Sequence, residues 1–159
     1  MSRAFVKETD DAPELPDRLV SPHPNFVTER GLGLIEAELA KHRAALAEAQ
    51  AAEDRAAIAA ASRELRYWTQ RRTSAEVQPP PADTNVAHFG SRVTIERDAP
   101  NSKGSRRQTF QIVGEDEADP AKGTLSYVAP LAHALLGKEE GDTVKVGATE
   151  AEIVKIEAG

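Results

Sequence analysis

Apolar residues recur at intervals of three and four positions in two consecutive stretches of the first half of the chain. The positions that share this spacing are Leu32, Ile35, Leu39, His42, Leu46 and Ala49 in the first stretch and Ile58, Ala61, Leu65, Trp68, Arg72 and Ala75 in the second. Such spacing gives each of two helices one apolar seam. The short connection predicts an antiparallel helical hairpin, with Thr28 and Asp54 as N-caps. Arms of about 22 residues, at about 1.5 Å per residue, predict a length of roughly 33 Å.

The period of the pattern changes to two in the second half of the chain, which indicates strands. The segments that share this alternation or are rich in apolar residues are 92–96, 110–113, 125–128, 144–146 and 153–156. Pro130 is a favourable first helical residue, and Gly137 is placed to end that helix. The predicted fold class is therefore α+β, with the helical hairpin followed by a small antiparallel sheet that carries one helix.

Proline-rich segments divide the chain. Residues 1–27 contain Pro13, Pro16, Pro22 and Pro24, which interrupt any helix, so we predict a flexible tail there. The helical hairpin is predicted at 28–77 and a stiff, Pro-rich linker at 78–87. The sheet domain is predicted at 88–159.

Composition limits the classes of function. The net charge is −6 and the pI is near 5.3, which disfavours broad, nonspecific attraction to nucleic acid. The absence of cysteine excludes a disulfide framework, a thiolate nucleophile and a zinc–thiolate site. No signal-peptide core and no run of about 18 apolar residues is present, so we expect a soluble, cytoplasmic protein that makes no contact with a membrane.

The titratable residues do not form a pattern typical of an enzyme. The histidines are isolated along the sequence, and a metal or acid–base role for them is not favoured. Acidic residues are concentrated near the predicted hairpin turn, at Glu48, Glu53 and Asp54, and again at 115–119. Local roles are open for both groups, because Asp54 can cap a helix and an acidic run is usually a surface turn.

Several segments of the second half resemble the C-terminal domain of the bacterial Gre transcript-cleavage factors. They are HFGSRVT at 88–94, FQIVGEDEAD at 110–119, PLAHALLGK at 130–138 and the pair Gly141–Asp142. Residues 64–68 and 74–77 also resemble the returning arm of the Gre coiled coil. The resemblance implies an FKBP-like C-terminal domain after an N-terminal coiled coil, in agreement with the order predicted from the pattern.

The resemblance also implies a partner and a surface. Gre factors bind RNA polymerase at its secondary channel as accessory factors, and at most stimulate cleavage of the transcript by the polymerase itself. We therefore expect a monomeric, nonenzymatic transcription elongation factor. The residues implied for polymerase binding are Glu115, Asp116, Glu117, Asp119, Ala129, Pro130 and Leu131. For residues 1–27, a polymerase-contacting arm is the alternative to a plain tail.

Two departures from the family concern transcript cleavage. The predicted hairpin is shorter by about ten residues per arm, or about 15 Å of helix. The acidic motif that the family carries at its tip also has no match, which leaves Glu53 and Asp54 as the candidate residues. Their role would be to assist a Mg²⁺ ion shared with the polymerase, since carboxylate oxygens suit magnesium and the chain is expected to hold no cofactor of its own.

Other functions stay open at this stage. Basic residues of the second helix could contact transcript RNA or DNA in the elongation complex, the candidates being Arg63, Arg66, Arg71 and Arg72. The alternatives to cleavage stimulation are a noncleaving Gre-like regulator that blocks the channel and a short-hairpin interaction module linked to nucleotide metabolism. A prolyl isomerase is disfavoured, because a fold does not imply an activity.

Overall fold

A computed structural model describes residues 15–98 and 104–159. The chain divides into two compact units. The first comprises the residues up to Pro22 together with Ile35–Thr73, and the second comprises His23–Leu34 together with Ser74–Gly159. The boundaries differ from the predicted domains, because the beginning of the first helix groups with the sheet. Among the described residues, no helix has the length and apolar character needed to cross a membrane.

The predicted hairpin is present as helix α1, Glu29–Ala51, and helix α2, Arg55–Ser74. Both predicted N-caps are confirmed. The Gly31 amide donates to Thr28 Oγ1 at 3.0 Å, and the Ala57 amide donates to Asp54 Oδ1 at 3.1 Å. Each side chain thereby satisfies an amide that the first turn of a helix leaves without an intrahelical partner.

The turn between the helices is a Schellman-type ending. The Asp54 amide donates to Ala49 O at 3.0 Å and the Glu53 amide donates to Gln50 O at 3.1 Å. Glu53 has a φ of 52°, the left-handed conformation that this ending requires. Residues 52–54 therefore connect the helices directly.

The predicted seam of the hairpin is wrong at one position. Ile35, Leu39, Ala49 and Ala61 are buried as predicted. The buried arginine, however, is Arg71, which is 2% exposed. Arg72, the residue predicted at the seam, is exposed and its Nε lies 3.0 Å from Glu36 Oε1.

Part of the predicted tail is held in place. Strand β1, Phe26–Val27, pairs in parallel with strand β2, Glu76–Val77, immediately outside the hairpin. Upstream of β1, Arg18 Nη1 lies 2.7 Å from Glu64 Oε2. Residues 15–27 therefore differ from a flexible tail, whereas residues 1–14 lie outside the described residues.

The second unit contains a five-stranded sheet in the order β5-β4-β3-β7-β6. Its strands are β3 Ser91–Asp98, β4 Ser105–Val113, β5 Thr124–Ser126, β6 Thr143–Val146 and β7 Thr149–Ala158. The predicted α+β class is confirmed, with one correction: β4 and β5 are parallel, so the sheet is mixed rather than antiparallel. The predicted third strand also ends early, since residues 127–128 form a turn.

Helix α3, Pro130–Leu135, packs on the sheet with Pro130 at its first position, as predicted. Its Ala132 and Leu135 are both fully buried in a core made with residues of the sheet, namely Val93, Ile95, Ile112, Leu125, Val144, Ala151, Ile153 and Ile156. The end of the predicted linker belongs to this core too. Ala87 is 1% exposed, and its amide donates to Lys138 O at 2.9 Å.

Candidate functional site

The acidic turn at 115–119 and the corner at 129–131 leave the same end of the sheet. The turn follows β4 and the corner follows β5, and these two strands are parallel neighbours. The carboxyl ends of parallel strands meet at one edge, and the Tyr127 amide donates to Val113 O at 2.9 Å at that edge. The topology thus gives the two segments of the predicted polymerase-binding surface a common location.

Glu117 does not contribute to an exposed surface, because its side chain is only 2% exposed. Thr28 Oγ1 donates to Glu117 Oε2 at 2.7 Å, and Arg30 Nη1 lies 3.3 Å from Glu117 Oε1. A Cβ on Gly31 would lie 2.9 Å from the same carboxylate. The geometry therefore gives Glu117 an internal role, in which it holds the start of α1. This corrects its prediction as a docking residue.

The rest of the acidic turn is braced by Thr124. The Asp119 amide donates to Thr124 Oγ1 at 2.7 Å, while the Asp119 carboxylate lies 3.8 Å from Lys122 Nζ. Glu115 and Asp116 are half-buried. The turn is consequently a fixed acidic edge, in which Asp119 retains a side chain that is 45% exposed.

The corner has a small exposed surface. Ala129 is the N-cap of α3 in extended conformation, with φ −64° and ψ 146°. Pro130 is exposed, and Leu131 is half-buried because it packs against the core. Of the three predicted corner residues, Pro130 therefore offers the side chain that a partner could contact most freely.

The predicted magnesium-assisting residues lie together at the hairpin turn and are both exposed. Asp54 already uses one carboxylate oxygen to cap α2. Over residues 15–98 and 104–159, no three His, Asp or Glu side chains are grouped so that they could hold a metal ion. The described geometry thus assigns Asp54 a structural role and gives Glu53 a position in the turn.

The four predicted nucleic-acid-binding arginines have different environments. Arg63 Nε donates to Pro16 O at 2.7 Å, and Arg66 Nε donates to Asp17 Oδ1 at 2.6 Å. Arg72 is paired with Glu36 on α1. Arg71 is buried, so its prediction as a phosphate contact is corrected. Of the three remaining candidates, Arg63 and Arg66 contact residues 16 and 17, whereas Arg72 contacts α1.

An aromatic cluster was missed from the sequence. The rings of Phe26, Phe89 and Tyr127 have centroids 5.5 to 6.1 Å apart, and the Tyr127 hydroxyl donates to Pro24 O. Edge-to-face and tilted rings at this separation attract one another beyond their area burial. Aromatic residues are only 4% of the chain, and one of them, Phe26, lies in the proline-rich segment that was predicted to be a tail. An aromatic residue at that place is a sequence signal that the segment packs against the rest of the chain.

Two carboxyl groups outside the predicted surfaces have lowered pKa values. The Asn85 amide donates to Asp83 Oδ1 at 2.8 Å, and this bond holds the pKa of Asp83 below its ordinary value. The hydrogen bond from Ser105, followed by the Arg107 guanidinium, lowers the pKa of Glu96 in the same direction. Both groups are therefore stabilised as anions, and neither has a value suited to proton transfer near neutral pH.

Comparison with known proteins finds a family match within the second unit. The family model described as "Transcription elongation factor, GreA/GreB, C-term" matches residues 82–158. Residues 82–158 are similar to the C-terminal domain of the GreA/GreB factors. The resemblance found in the sequence is thereby confirmed, and 82–158 is called the Gre domain below.

Relatives of the Gre domain are transcription elongation factors. The transcription elongation factor GreA of Pseudomonas putida is 47% identical over 77 residues, which cover 46% of this chain and 46% of that protein. The GreA of a Jannaschia species is 44% identical over 86 residues, covering 52% and 53% respectively. The chain thus spans about half the length of the curated relatives it matches.

A solved structure is similar over a larger part of the chain. It is GreA factor homolog 1 of Thermus thermophilus, with 21% identity, a TM-score of 0.40, and coverage of 85% of this chain and 99% of that one. Because both values are low, this similarity carries no argument about the hairpin. The similarity to Gre factors therefore rests on the Gre domain.

Proposed function

We propose that the chain is an accessory factor of RNA polymerase that docks through its Gre domain and directs its helical hairpin to the secondary channel. The observation that carries this proposal is the family match of residues 82–158, together with GreA relatives at 44–47% identity. A docking role also suits the geometry, since the acidic turn and the α3 corner form a braced edge rather than a reaction site.

The proposed docking surface comprises the exposed parts of this edge. Pro130 lies at the centre of the corner, and Asp119 and Asp116 supply negative charge on the neighbouring turn. Acidic groups favour a basic partner surface, where complementary charge mainly accelerates association. Glu117 is left out because its carboxylate is engaged within the unit.

Pro130→Glu is expected to weaken binding to core RNA polymerase about tenfold, or about 1.4 kcal/mol. Glutamate is favoured in the first turn of a helix, so α3 should form while the side chain at the corner becomes longer and charged. Binding would be measured by biolayer interferometry with immobilised core polymerase.

Lys145→Glu is the matched control, because Lys145 is an exposed residue of β6, away from the corner along the sheet order. It should bind as the unmodified protein does. If Lys145→Glu loses as much affinity as Pro130→Glu, the proposed location of the docking surface is wrong. The absence of any binding by the unmodified protein would contradict the proposed function itself and favour an interaction module with another partner.

We further propose that the factor occupies the channel without stimulating transcript cleavage. Cleavage assistance needs carboxylate oxygens that bind the second of two metal ions. At the turn, one oxygen of Asp54 is used by the Ala57 amide, and Glu53 supplies the other carboxylate without a grouped third ligand. The shared Mg²⁺ is therefore left to the polymerase in this proposal.

A backtracked elongation complex tests the noncleaving role. We expect addition of the protein to leave the labelled transcript at its original length and to slow nucleotide addition, because a channel entrant obstructs substrate entry. The double variant Glu53→Gln, Asp54→Asn should behave identically, since asparagine caps a helix about as well as aspartate. Shortening of the transcript that disappears in this variant would reverse the assignment and make the two carboxylates functional.

A further inference from the structure

Residues 15–20 lie along helix α2 and are held by a short series of polar contacts. The carbonyl oxygen of Pro16 accepts from Arg63 Nε at 2.7 Å, and Asp17 Oδ1 accepts from Arg66 Nε at 2.6 Å. The guanidinium carbon of Arg18 lies 3.7 Å from the centre of the Tyr67 ring. We call residues 15–20 the strap.

The three contacts of the strap are of the kinds that a protein makes with a single-stranded nucleotide. Two acceptor oxygens sit on two guanidinium groups, as phosphate oxygens do, and a flat cationic group stacks on an aromatic ring, as a base does. Arg63 and Arg66 are three positions apart and therefore share a face of α2, with Tyr67 next to them. The set therefore combines two positive charges with a ring on which a flat group can stack.

Space for a base is present beside these contacts. A cavity of about 460 Å³ adjoins the strap, and its lining includes Arg66 and Tyr67 on α2 and Leu46 on α1. The strap residues Asp17 and Arg18 form part of its wall. Removal of the strap would therefore enlarge a groove that already has apolar walls and guanidinium donors.

The strap adheres through charge and stacking rather than through buried apolar area. Leu15 and Val20 are about two-fifths exposed, at 40% and 39%, and Leu19 is 96% exposed. The pair Asp17–Arg66 has side chains that are 71% and 51% exposed. Exposed pairs of this kind are weak and are screened by salt, so this contact of the strap is easily broken. The Arg18–Glu64 pair, with side chains 34% and 26% exposed, is then the stronger hold on the strap.

We propose that Arg63, Arg66 and Tyr67 form a binding site for single-stranded nucleic acid, and that the strap covers this site as an internal mimic of the ligand. The site is then autoinhibited, because the apparent affinity falls in proportion to the fraction of molecules in which the strap is released. The inference concerns the first unit alone and does not depend on polymerase docking by the Gre domain.

Arg18→Gln is the decisive variant, because it removes a positive charge and yet is expected to tighten nucleic-acid binding. Loss of the Tyr67 stack and of the ion pair to Glu64 should release the strap. The probe is a fluorescein-labelled 12-nucleotide oligouridylate, with binding to the full-length protein followed by fluorescence anisotropy at low salt. We expect a dissociation constant about fivefold lower than that of the unmodified protein.

Arg43→Gln is the matched control, since it removes the same charge from an exposed position of α1 and leaves the strap contacts intact. It should bind the probe no better than the unmodified protein. Adding Arg63→Gln and Arg66→Gln to the Arg18→Gln protein should abolish the gain. Unchanged or weaker binding by Arg18→Gln would overturn the proposal, as would a gain that survives loss of both arginines.

Two further measurements separate release of the strap from other causes. The chain has one tryptophan, and Arg18 lies 5.7 Å from the centre of its ring, so Trp68 emission should change in Arg18→Gln while helix content by circular dichroism stays constant. A 12-residue polyglutamate peptide tests the class of ligand. If it displaces the oligouridylate at equal concentration, the site recognises acidic protein segments and the nucleic-acid assignment is wrong.

Discussion

Replacement of Leu135 by alanine is expected to lower the free energy of unfolding of the Gre domain by about 3 kcal/mol. Leu135 is fully buried between α3 and the sheet, and truncation removes its apolar contacts and leaves a cavity. Helix α3 has only six residues, far fewer than an isolated helix needs in water. Its position therefore depends on the two side chains it buries, Ala132 and Leu135.

Hydrogen exchange measures this effect within the second unit. Amides of the central strand β3 pair with both β4 and β7, so they should exchange through global opening of the domain. Leu135→Ala should raise their exchange rates about 150-fold, the equivalent of about 3 kcal/mol. His133→Ala is the control, because His133 is exposed on the same helix and its loss should change stability by less than about 0.5 kcal/mol. Equal protection in the two variants would contradict the importance of α3 burial.

The same variant links stability to docking. Pro130 and Leu131 form the first turn of α3, so a helix that detaches from the sheet carries the proposed polymerase surface with it. The spacing of Leu131, Ala134 and Leu135 allowed the helix to be predicted, and Gly137, with φ 80°, ends it as expected. The proposed docking corner is thus a feature that local sequence rules specify well, because a proline start and a glycine stop act within a few residues.

Features that depend on distant residues were beyond the sequence pattern. Glu117 lies in a run of acidic residues and was predicted to be exposed. Its side chain is instead buried, and its carboxylate accepts a hydrogen bond from Thr28, which lies 89 positions earlier in the chain. The parallel pairing of β5 with β4 is a second case. Short loops between strands usually indicate antiparallel hairpins, whereas here a ten-residue connection that includes the 3₁₀ turn Pro120–Lys122 returns the chain in parallel.

The hairpin shows where periodicity loses precision. Intervals of three and of four both keep a residue near the seam, so the positions after Trp68 could be continued to Arg71 or to Arg72. Charge alone favoured neither, and the structure buries Arg71. The caps were predictable because Thr28 and Asp54 act on amides three residues away. The strap was not, since its partners on α2 are 46 to 49 residues further along the chain.

Replacement of Gly114 by alanine is the other change with a large expected effect. A Cβ at this position would lie 2.3 Å from the carbonyl oxygen of Phe26 and 3.6 Å from the Cα of Val27. Both neighbours are backbone atoms of β1, so no side-chain rotation can relieve the overlap. Separation of the two segments would strain the pairing of β1 with β2 and the aromatic contacts of Phe26.

We expect Gly114→Ala to destabilise the second unit by about 3 kcal/mol, the upper part of the range for overpacking. Exchange of the Gln78 amide should accelerate most, because this amide donates to Val27 O in the affected pair. Gly33→Ala is the matched control. Gly33 lies in α1, and its Cβ would meet no atom within 4 Å beyond the neighbouring backbone of that helix. Alanine should stabilise a helix interior by up to about 1 kcal/mol. The close approach of β1 to Gly114 is refuted if both alanine variants retain the protection of the unmodified protein.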